Sequence, residues 1–395
     1  MKKQKILILG ASILQLPAIK KAKENNYHTI VVDYNPNAIG FKFADESYVV
    51  STTDVDAVVQ LAQKIKPDGV MTLATDMPMR TVAAVASSLG LPGITMETAI
   101  KATDKGEMIK AFADNNVEHP WFYIIKNTND LLDVLPLLTY PCVIKPTDNA
   151  GNRGVSYVEC EKEILELYIY SYNNSRSGTV IIEEYMEGQE VSVELIVKDN
   201  IVNILSVTDK LTLGKPFFVE VGHSEPSMLN DDAVKKIKDL ATRAVLAVGI
   251  NNSPAHVEIM LTDDGPKMVE LGARMGGGCI TTHLVPLSVG IDMLQCVMDI
   301  SMGKDVSLIP KFLKGSALRH ISGVEGKIVA INGIEKALKL EGVKEITMLK
   351  NIGDELTYFK NGSDRVGYVI AQADSASDAI EICNKALSLI EIKVE

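Results

Sequence analysis

Two glutamates on either side of a turn carry the clearest chemical signal in the sequence. Glu258 and Glu270 each lie in a β-prone apolar run, and the segment between the runs, 262–266, is rich in Asp, Gly and Pro. A hairpin centred on Asp264 would place the two glutamates directly opposite, with Cβ atoms about 5 Å apart. Two carboxylates that close repel each other unless a divalent cation bridges them, and Mg²⁺ prefers carboxylate oxygens, phosphate oxygens and water. The pair therefore predicts a magnesium site. The alternatives are that both glutamates point to solvent on an edge hairpin, or that a register slip of one residue puts them on opposite faces of the sheet.

An arginine and a run of glycines follow the second of these strands directly. Arg274 and Gly277 lie in the segment 272–278, which reads Gly-Ala-Arg-Met-Gly-Gly-Gly. Arginine pairs bidentately with phosphate or carboxylate groups, and consecutive glycines let a ligand approach main-chain N–H groups closely. We interpret this segment as part of a binding site beside the carboxylate pair; a flexible surface loop is the alternative interpretation.

A second candidate site begins at Lys145, near the end of a strand-like apolar run. The loop after it, 147–155, contains two glycines and Arg153. Such a loop can fold its N–H groups over a polyphosphate and exclude water. It is not a Walker A loop, because G-x-x-x-x-G-K-[ST] occurs nowhere in the chain. Further along, the segment 183–190, Glu-Glu-Tyr-Met-Glu-Gly-Gln-Glu, adds a strand end rich in carboxylates.

Together these motifs resemble the ATP-grasp superfamily over nearly the whole chain, in the branch that contains glycinamide ribonucleotide synthetase, biotin carboxylase, carbamoyl-phosphate synthetase and the bacterial L-amino-acid ligases. The resemblance implies ATP and Mg²⁺ as cofactors, with Mn²⁺ as an alternative ion, and Glu258 and Glu270 as the metal ligands. It also implies a nucleotide-binding role for a larger set of positions. These are Lys105 in Thr103-Asp104-Lys105, Lys145, Arg153 and Gly154 at the phosphates, Glu183, Glu184 and Met186 at adenine, and Glu190 at the ribose.

One position departs from the family's pattern. The metal site of these enzymes usually reads Glu-x-Asn-x-Arg, with the Asn side chain as a further ligand, and here the middle position is Gly272. The coordination of a second magnesium ion is therefore open, and water is one group that could take the place of the Asn. Arg274 keeps its place, and the resemblance implies that it steadies the transferred phosphoryl group.

The segment 208–227 looks like the part of amino-acid ligases that recognises the substrate. By this resemblance, Glu220 would meet an ammonium group, and His223 would lie near the amino-acid substrate together with Arg274 and Gly277. A carboxylate pairs with an amine, and a nearby arginine can take a carboxylate end. The alternative is that Glu220 and His223 are ordinary residues at the end of a strand.

The reaction implied by the resemblance is an ATP-dependent ligation of a carboxylate and an amine. Phosphoryl transfer to the carboxylate would give an acyl phosphate, and attack by the amine would give an amide, ADP and phosphate, with Lys145 and Arg274 as the catalytic residues. The partners would be small carboxylate and amine molecules, with amino-acid-like substrates favoured. A purine-pathway ligase of the phosphoribosylamine–glycine type, a non-catalytic ATP sensor, and an NAD-linked oxidoreductase are the alternatives, and the last rests only on Gly10 and Asp33.

The elements that must position these residues follow from the hydrophobic pattern. Residues 6–100 alternate short apolar runs with helix-length segments, which is typical of βαβ units on a parallel sheet. We therefore predict an α/β and α+β protein of three parts: a Rossmann-like domain at 1–100, an ATP-grasp domain at 101–308 with a mobile lid subdomain at about 121–184, and a small α+β cap domain at 309–395.

Composition limits the classes of protein that fit. The 395 residues carry 40 Lys and Arg against 51 Asp and Glu, a formal net charge of −11 that argues against a general nucleic-acid binder. No apolar stretch approaches the ~20 residues of a membrane span, and we interpret residues 6–16 as a first strand and turn rather than a secretory signal. The five cysteines form no C-x-x-C pair, which favours free thiols in the cytoplasm. A homodimer is compatible with this interpretation.

Overall fold

The computed structural model describes residues 3–149, 151, 153–214, 219–358 and 364–395. Its first part is a parallel sheet of four strands in the order β3-β2-β1-β4. Residues Ile6 to Leu9 of the central strand are completely buried, as expected where helices cover both faces of a parallel sheet. The bounds are β1 Lys5–Leu9, α1 Leu16–Glu24, β2 His28–Asp33, β3 Glu46–Val49, α2 Val55–Ile65, β4 Gly69–Met71, α3 Met79–Leu89, α4 Met96–Lys101 and α5 Lys105–Asp114.

The second part is a separate antiparallel sheet of four strands in the order β5-β8-β6-β7. Apolar residues of its strands and of its two helices form one core cluster, which includes Ile144, Ile182 and Tyr168. The bounds are β5 Phe122–Ile125, α6 Thr128–Val134, β6 Cys142–Pro146, β7 Ser156–Val158, α7 Ile164–Asn173 and β8 Val180–Glu184.

An antiparallel sheet of eight strands dominates the rest of the chain, in the order β13-β12-β9-β10-β11-β14-β18-β16. The sheet continues without a break from β11 into β14, so strands on both sides of residue 309 belong to it. The bounds are β9 Gln189–Lys198, β10 Ile201–Thr212, β11 Glu220–Glu225, α8 Asp231–Val248, β12 Ser253–Thr262, β13 Gly265–Gly272, α9 Val285–Val289, α10 Met293–Ser301, β14 Gly315–Ile321, β16 Val343–Met348 and β18 Gly367–Ala373.

A small sheet in the order β17-β15-β19 completes the C-terminal part. Its bounds, with those of the two accompanying helices, are β15 Gly326–Asn332, α11 Ile334–Leu338, β17 Glu355–Leu356, α12 Ala376–Leu389 and β19 Glu391–Val394. The predicted fold class, a parallel N-terminal sheet followed by α+β parts, is confirmed. In the part of the chain that the structure describes, no single helix is long and apolar enough to cross a membrane, although a bent pair, 280–289 with 293–301, passes that test by length and composition.

Candidate active site

The two faces of the eight-stranded sheet have different chemistry, because side chains alternate along each strand. On one face, odd-numbered apolar residues of β9 and β12 pack with α8 in the largest core cluster; Val193, Leu195 and Val257 are examples. Even-numbered residues of the same strands point to the opposite face, where several polar residues stand among a few apolar ones such as Ile196 and Met260. That polar face carries Glu190, Glu194, His256 and Glu258.

Glu258 and Glu270 are paired across the β12–β13 hairpin, as the sequence predicts. The route to this pairing differs from the prediction. Thr262 pairs with Gly265 at the turn, and that register, if continued, would place Val269 opposite Glu258. A bulge between Glu258 and Ile259 shifts the register by one residue and brings the two carboxylates onto the same side.

Each of these carboxylates is held by its own lysine. Lys105 Nζ lies 2.9 Å from Glu270 Oε2, and Lys210 Nζ lies 3.1 Å from Glu258 Oε1. Burial alone would raise the pKa of both carboxyls, but Lys210 beside Glu258 and Lys105 beside Glu270 outweigh it and hold both pKa values below the ordinary range. Both glutamates are therefore anionic at neutral pH, the state in which they can bind a cation.

Lys210, for which the sequence predicts no role, lies at the centre of a group of carboxylates. Its side chain is only 4% exposed, and its ammonium group donates to three carboxylates. Besides Glu258, these are Glu190, through a short contact, and Glu220, at 3.0 Å. One buried cation thus joins the positions assigned to the ribose, the metal and the substrate amine.

His256 extends the network on the other side of Glu258. Its Nδ1 lies 2.6 Å from Glu194 Oε1, and its Nε2 lies 3.1 Å from Glu258 Oε1. Burial would lower the pKa of His256, but the two glutamates outweigh it and raise that pKa to about 9. The imidazole is therefore protonated at neutral pH and bridges the two carboxylates.

This bridge predicts a pH-dependent contribution to stability. Because the pKa of His256 in the folded chain, about 9, lies above its ordinary value of 6.5, protonation favours the folded state. The contribution is complete below pH 6.5 and is lost as the pH rises through 9. The difference in unfolding free energy between the natural chain and His256→Gln should shrink by up to about 3 kcal/mol from pH 6 to pH 10, as measured by urea denaturation. A difference that stays constant over this range would contradict the prediction.

Lys145 and Glu183 form another buried ion pair, between the neighbouring strands β6 and β8. Lys145 Nζ lies 2.5 Å from Glu183 Oε2, and both side chains are less than one-tenth exposed. The main-chain N–H of Glu184 donates to Trp121 O at 3.0 Å, so this N–H is already used within the protein. Met186 lies half-buried in the segment that leads from this sheet to β9.

The loop 147–155 is attached to the start of α5 by the same lysine that holds Glu270. The Lys105 N–H donates to Thr147 O at 2.8 Å, and Lys105 Nζ donates to Asn149 O at 3.1 Å. Gly154 has a φ of +81°, and a Cβ there would lie 2.7 Å from both Pro146 Cγ and Asn174 Cβ, so only glycine fits. Arg153 is exposed beside it. Two further loop residues, Ala150 and Asn152, lie outside the described residues.

Arg274 pairs with a residue of the N-terminal part that the sequence analysis did not identify. Its Nε and Nη2 each donate to Asp76, to Oδ1 and Oδ2 respectively, and both distances are 3.0 Å. Asp76 follows the carboxyl end of β4. Ligand sites of parallel sheets lie at the carboxyl ends of strands, so the position of Asp76 after β4 could have identified it as a candidate site residue from the sequence.

Glu220 and His223 lie where β11 meets the glycine run and the C-terminal part. His223 Nε2 is 3.7 Å from Glu220 Oε2, and Arg365 Nη2 donates to the Glu220 carbonyl at 3.0 Å. A Cβ on Gly278 would lie 3.2 Å from His223 Nε2, so the glycine run passes directly over the imidazole. Burial lowers the pKa of His223 to about 4, so the ring is neutral at pH 7.

Two details complete this region. Among the described residues, both ring nitrogens of His223 are buried without a hydrogen-bond partner. A Cβ built on Gly277 meets nothing within 4 Å, so this glycine borders open space. Residues 215–218, which belong to the predicted substrate-recognition segment, lie outside the described residues.

A cavity of about 410 Å³ opens beside Glu270 and Lys105. Its walls come from the N-terminal part, α5 and the loop region, and they include Asp76, Arg80 and Arg176. The volume is within the range of small-molecule sites. Glu270 and Lys105 thus line the cavity directly, Glu258 lies opposite Glu270 on the next strand, and Arg274 binds the lining residue Asp76. The Lys145–Glu183 pair lies in the neighbouring sheet.

Comparisons with known proteins agree on the family. Residues 138–283 match the model of an ATP-grasp domain, and residues 320–395 match that of the L-amino acid ligase C-terminal domain 2. The chain is similar to alanine–anticapsin ligase of Bacillus subtilis, at 26% identity over 75% of this chain and 67% of that protein.

Two solved structures share the fold over the full length of both chains. One is an L-amino acid ligase from Bacillus licheniformis, with a TM-score of 0.85 and 22% identity. The other is a phosphoribosylglycinamide synthetase from Anaerococcus prevotii, with a TM-score of 0.82 and 26% identity. With two matching domain models and this full-length likeness, the chain belongs to the ATP-grasp ligases, enzymes that form carbon–nitrogen bonds with ATP and Mg²⁺.

Proposed function

We propose that this ligase joins the carboxylate of one amino-acid-like substrate to the amine of another through an acyl phosphate. The observation that carries the proposal is the position of Glu220. This carboxylate already binds an ammonium group, that of Lys210, at 3.0 Å, and Lys210 also contacts the proposed metal ligand Glu258. An amine bound at Glu220 would therefore lie close to the phosphates of a nucleotide at the metal site.

In this proposal the nucleotide lies between the two antiparallel sheets. Lys105, Lys145, Arg153 and Gly154 contact its phosphates, and Glu190 accepts hydrogen bonds from the ribose hydroxyls. Main-chain groups of Glu184 and Met186 contact the adenine, with Glu183 beside the adenine amino group.

Glu258 and Glu270 are the proposed ligands of Mg²⁺. Their anionic, facing carboxylates suit a hard cation that prefers oxygen. Among the described residues no three His, Cys, Asp or Glu side chains are grouped tightly enough to hold an ion alone, which suits an ion completed by phosphate oxygens and water. When bound, Mg²⁺ supplies positive charge at the phosphates.

The chain's own residues would do the remaining work. Transfer of the γ-phosphoryl group to the substrate carboxylate forms an acyl phosphate and releases ADP. Attack by the second substrate's amine breaks the acyl–phosphate bond and releases phosphate. Lys145 and Arg274 offset the negative charge that gathers during the first step. The loop 147–155 covers the phosphates and excludes water from the acyl phosphate.

The remaining expectations belong to the same proposal. We assign 1–100, 101–308 and 309–395 to three domains, with 121–184 as the lid; the independent sheet formed by residues 122–184 supports the lid. We also assign the enzyme to the cytoplasm as a homodimer. The five cysteines are all free, which suits a reducing compartment.

A second candidate function is a purine-pathway ligase that joins glycine to phosphoribosylamine. The observation in its favour is that the cavity wall carries three cationic side chains, Lys105, Arg80 and Arg176, beside three carboxylates, Asp76, Asp148 and Glu270. Three cationic side chains around one cavity suit a substrate that carries a phosphate group.

The two candidates differ in the substrates that release phosphate from Mg-ATP. We expect release with pairs of amino acids, together with a dipeptide detected by mass spectrometry, and no release with either amino acid alone. Glu220→Gln should raise the KM for the amine substrate more than it lowers kcat. Release only with phosphoribosylamine and glycine would favour the second candidate. Tight binding of Mg-ATP without release for any acceptor would contradict both.

A further inference from the structure

Gly272 stands where the family's pattern has a metal-binding Asn, and the structure shows what fills that place. Gly272 lies two residues after Glu270 on β13, so a side chain there would point to the same face of the sheet. A Cβ built on Gly272 lies 2.5 Å from Asp76 Oδ1. The carboxylate of Asp76 therefore occupies the space that a side chain at 272 would need.

We propose that Asp76, contributed by the N-terminal part, supplies the ligand oxygen for a second metal ion that the missing Asn would otherwise give. The inference rests on the proposed function, because it takes Glu270 as a ligand of Mg²⁺. Asp76 and Glu270 both line the 410 Å³ cavity, together with Lys105. A carboxylate oxygen is at least as good a ligand for Mg²⁺ as the amide oxygen that it replaces.

The ion pairs of these carboxylates support this assignment. Three carboxylates face the site, and each is held by a different cation: Glu258 by Lys210, Glu270 by Lys105, and Asp76 by Arg274. In the proposed function, Lys105 and Arg274 turn to the phosphates. Glu270 and Asp76 would then lose their partners at the moment when metal ions arrive with the nucleotide, so cations replace cations and no buried charge is left uncompensated.

The alternative is that Asp76 only anchors Arg274. The two interpretations differ in the number of ions bound, which can be measured without any acceptor substrate. Electron paramagnetic resonance of free Mn²⁺ would count the ions bound by the full chain in the presence of a saturating, non-hydrolysable ATP analogue. We expect two ions per natural chain and one per Asp76→Ala chain.

A matched second variant provides the decisive control. Truncation of Asp76 frees the space beside position 272, so the double variant Asp76→Ala/Gly272→Asn should regain the second ion. Asp76→Asn, which keeps an oxygen, should bind two ions with weaker affinity and covers the case in which Asp76→Ala does not fold. One ion in the natural chain, two ions in Asp76→Ala, or one ion in the double variant would overturn the assignment. These counts do not depend on amide formation, so failure of the proposed ligation would appear separately.

Discussion

Glu270→Gln is expected to lower the rate of ADP formation by about 10²- to 10³-fold, a loss of the size seen when a charge-stabilising group is removed from an active site. The variant keeps the shape of the side chain but removes the negative charge that would bind Mg²⁺ and that now holds Lys105 at 2.9 Å. A coupled assay of ADP release at increasing Mg²⁺ concentration would measure the effect. Excess Mg²⁺ should recover only part of the rate, because an amide oxygen binds the ion weakly.

The control for this variant is Glu97→Gln. Glu97 lies on the short helix α4, its side chain is 77% exposed, and it forms an ion pair with Lys101 on the same helix. This control should keep the natural rate, and thermal unfolding should show that both variants fold. A natural rate of ADP release in Glu270→Gln at ordinary Mg²⁺ would show that Glu270 is not a metal ligand.

Lys210→Met is expected to destabilise the ligand-free chain by about 3 kcal/mol or more, because removal of one member of a buried ionic network leaves its partners uncompensated. Methionine preserves most of the length of the side chain, so lost packing contributes little. Glu190, Glu220 and Glu258 would then share one region without the cation that all three contact. Urea denaturation monitored by circular dichroism would measure the loss.

The same variant should respond to ligand differently from the natural chain. Mg²⁺ and an ATP analogue would bring positive charge to Glu258 and hydroxyl donors to Glu190, and should therefore restore more stability to Lys210→Met than they add to the natural chain. Lys210→Arg keeps the charge and serves as the control. Unfolding of Lys210→Met at the urea concentration of the natural chain would show that Lys210 is not the counter-ion of this network.

The residues that sequence reasoning found and missed differ in physical kind. Glu258 and Glu270 could be found because each lies at a fixed period within an apolar run, and the turn between the runs is marked by Asp, Gly and Pro. The bulge after Glu258 could not, because no residue type marks it; β12 pairs in unbroken register with β9, and the shift arises only where β12 meets the edge strand β13. The predicted turn is centred on Asp264, whereas the turn in the structure is centred between Asp263 and Asp264; the one-residue bulge makes up the difference, so the predicted pair is still correct.

Lys210 was missed for a different reason. A lysine side chain is normally exposed to solvent, and the sequence around Lys210 does not indicate that three carboxylates from β9, β11 and β12 lie around its ammonium group. Strand alternation does indicate its face, since Thr208 and Lys210 share one side of β10. The contact of Asp76 with Arg274 joins residues almost two hundred positions apart, and only the assembled fold brings them together.

The pairing of β11 with β14 has a consequence for anyone who would exchange parts among these ligases. A chain cut at residue 308 would leave β11 with a bare row of N–H and C=O groups, and such an edge recruits other chains into aggregates. It would also remove Arg365, which reaches Glu220 from beyond the cut. If Glu220 binds the amine, as proposed, swapping the C-terminal quarter alone would alter the surroundings of that site, and a chimaera should take its crossover before β9, so that the whole eight-stranded sheet comes from one parent.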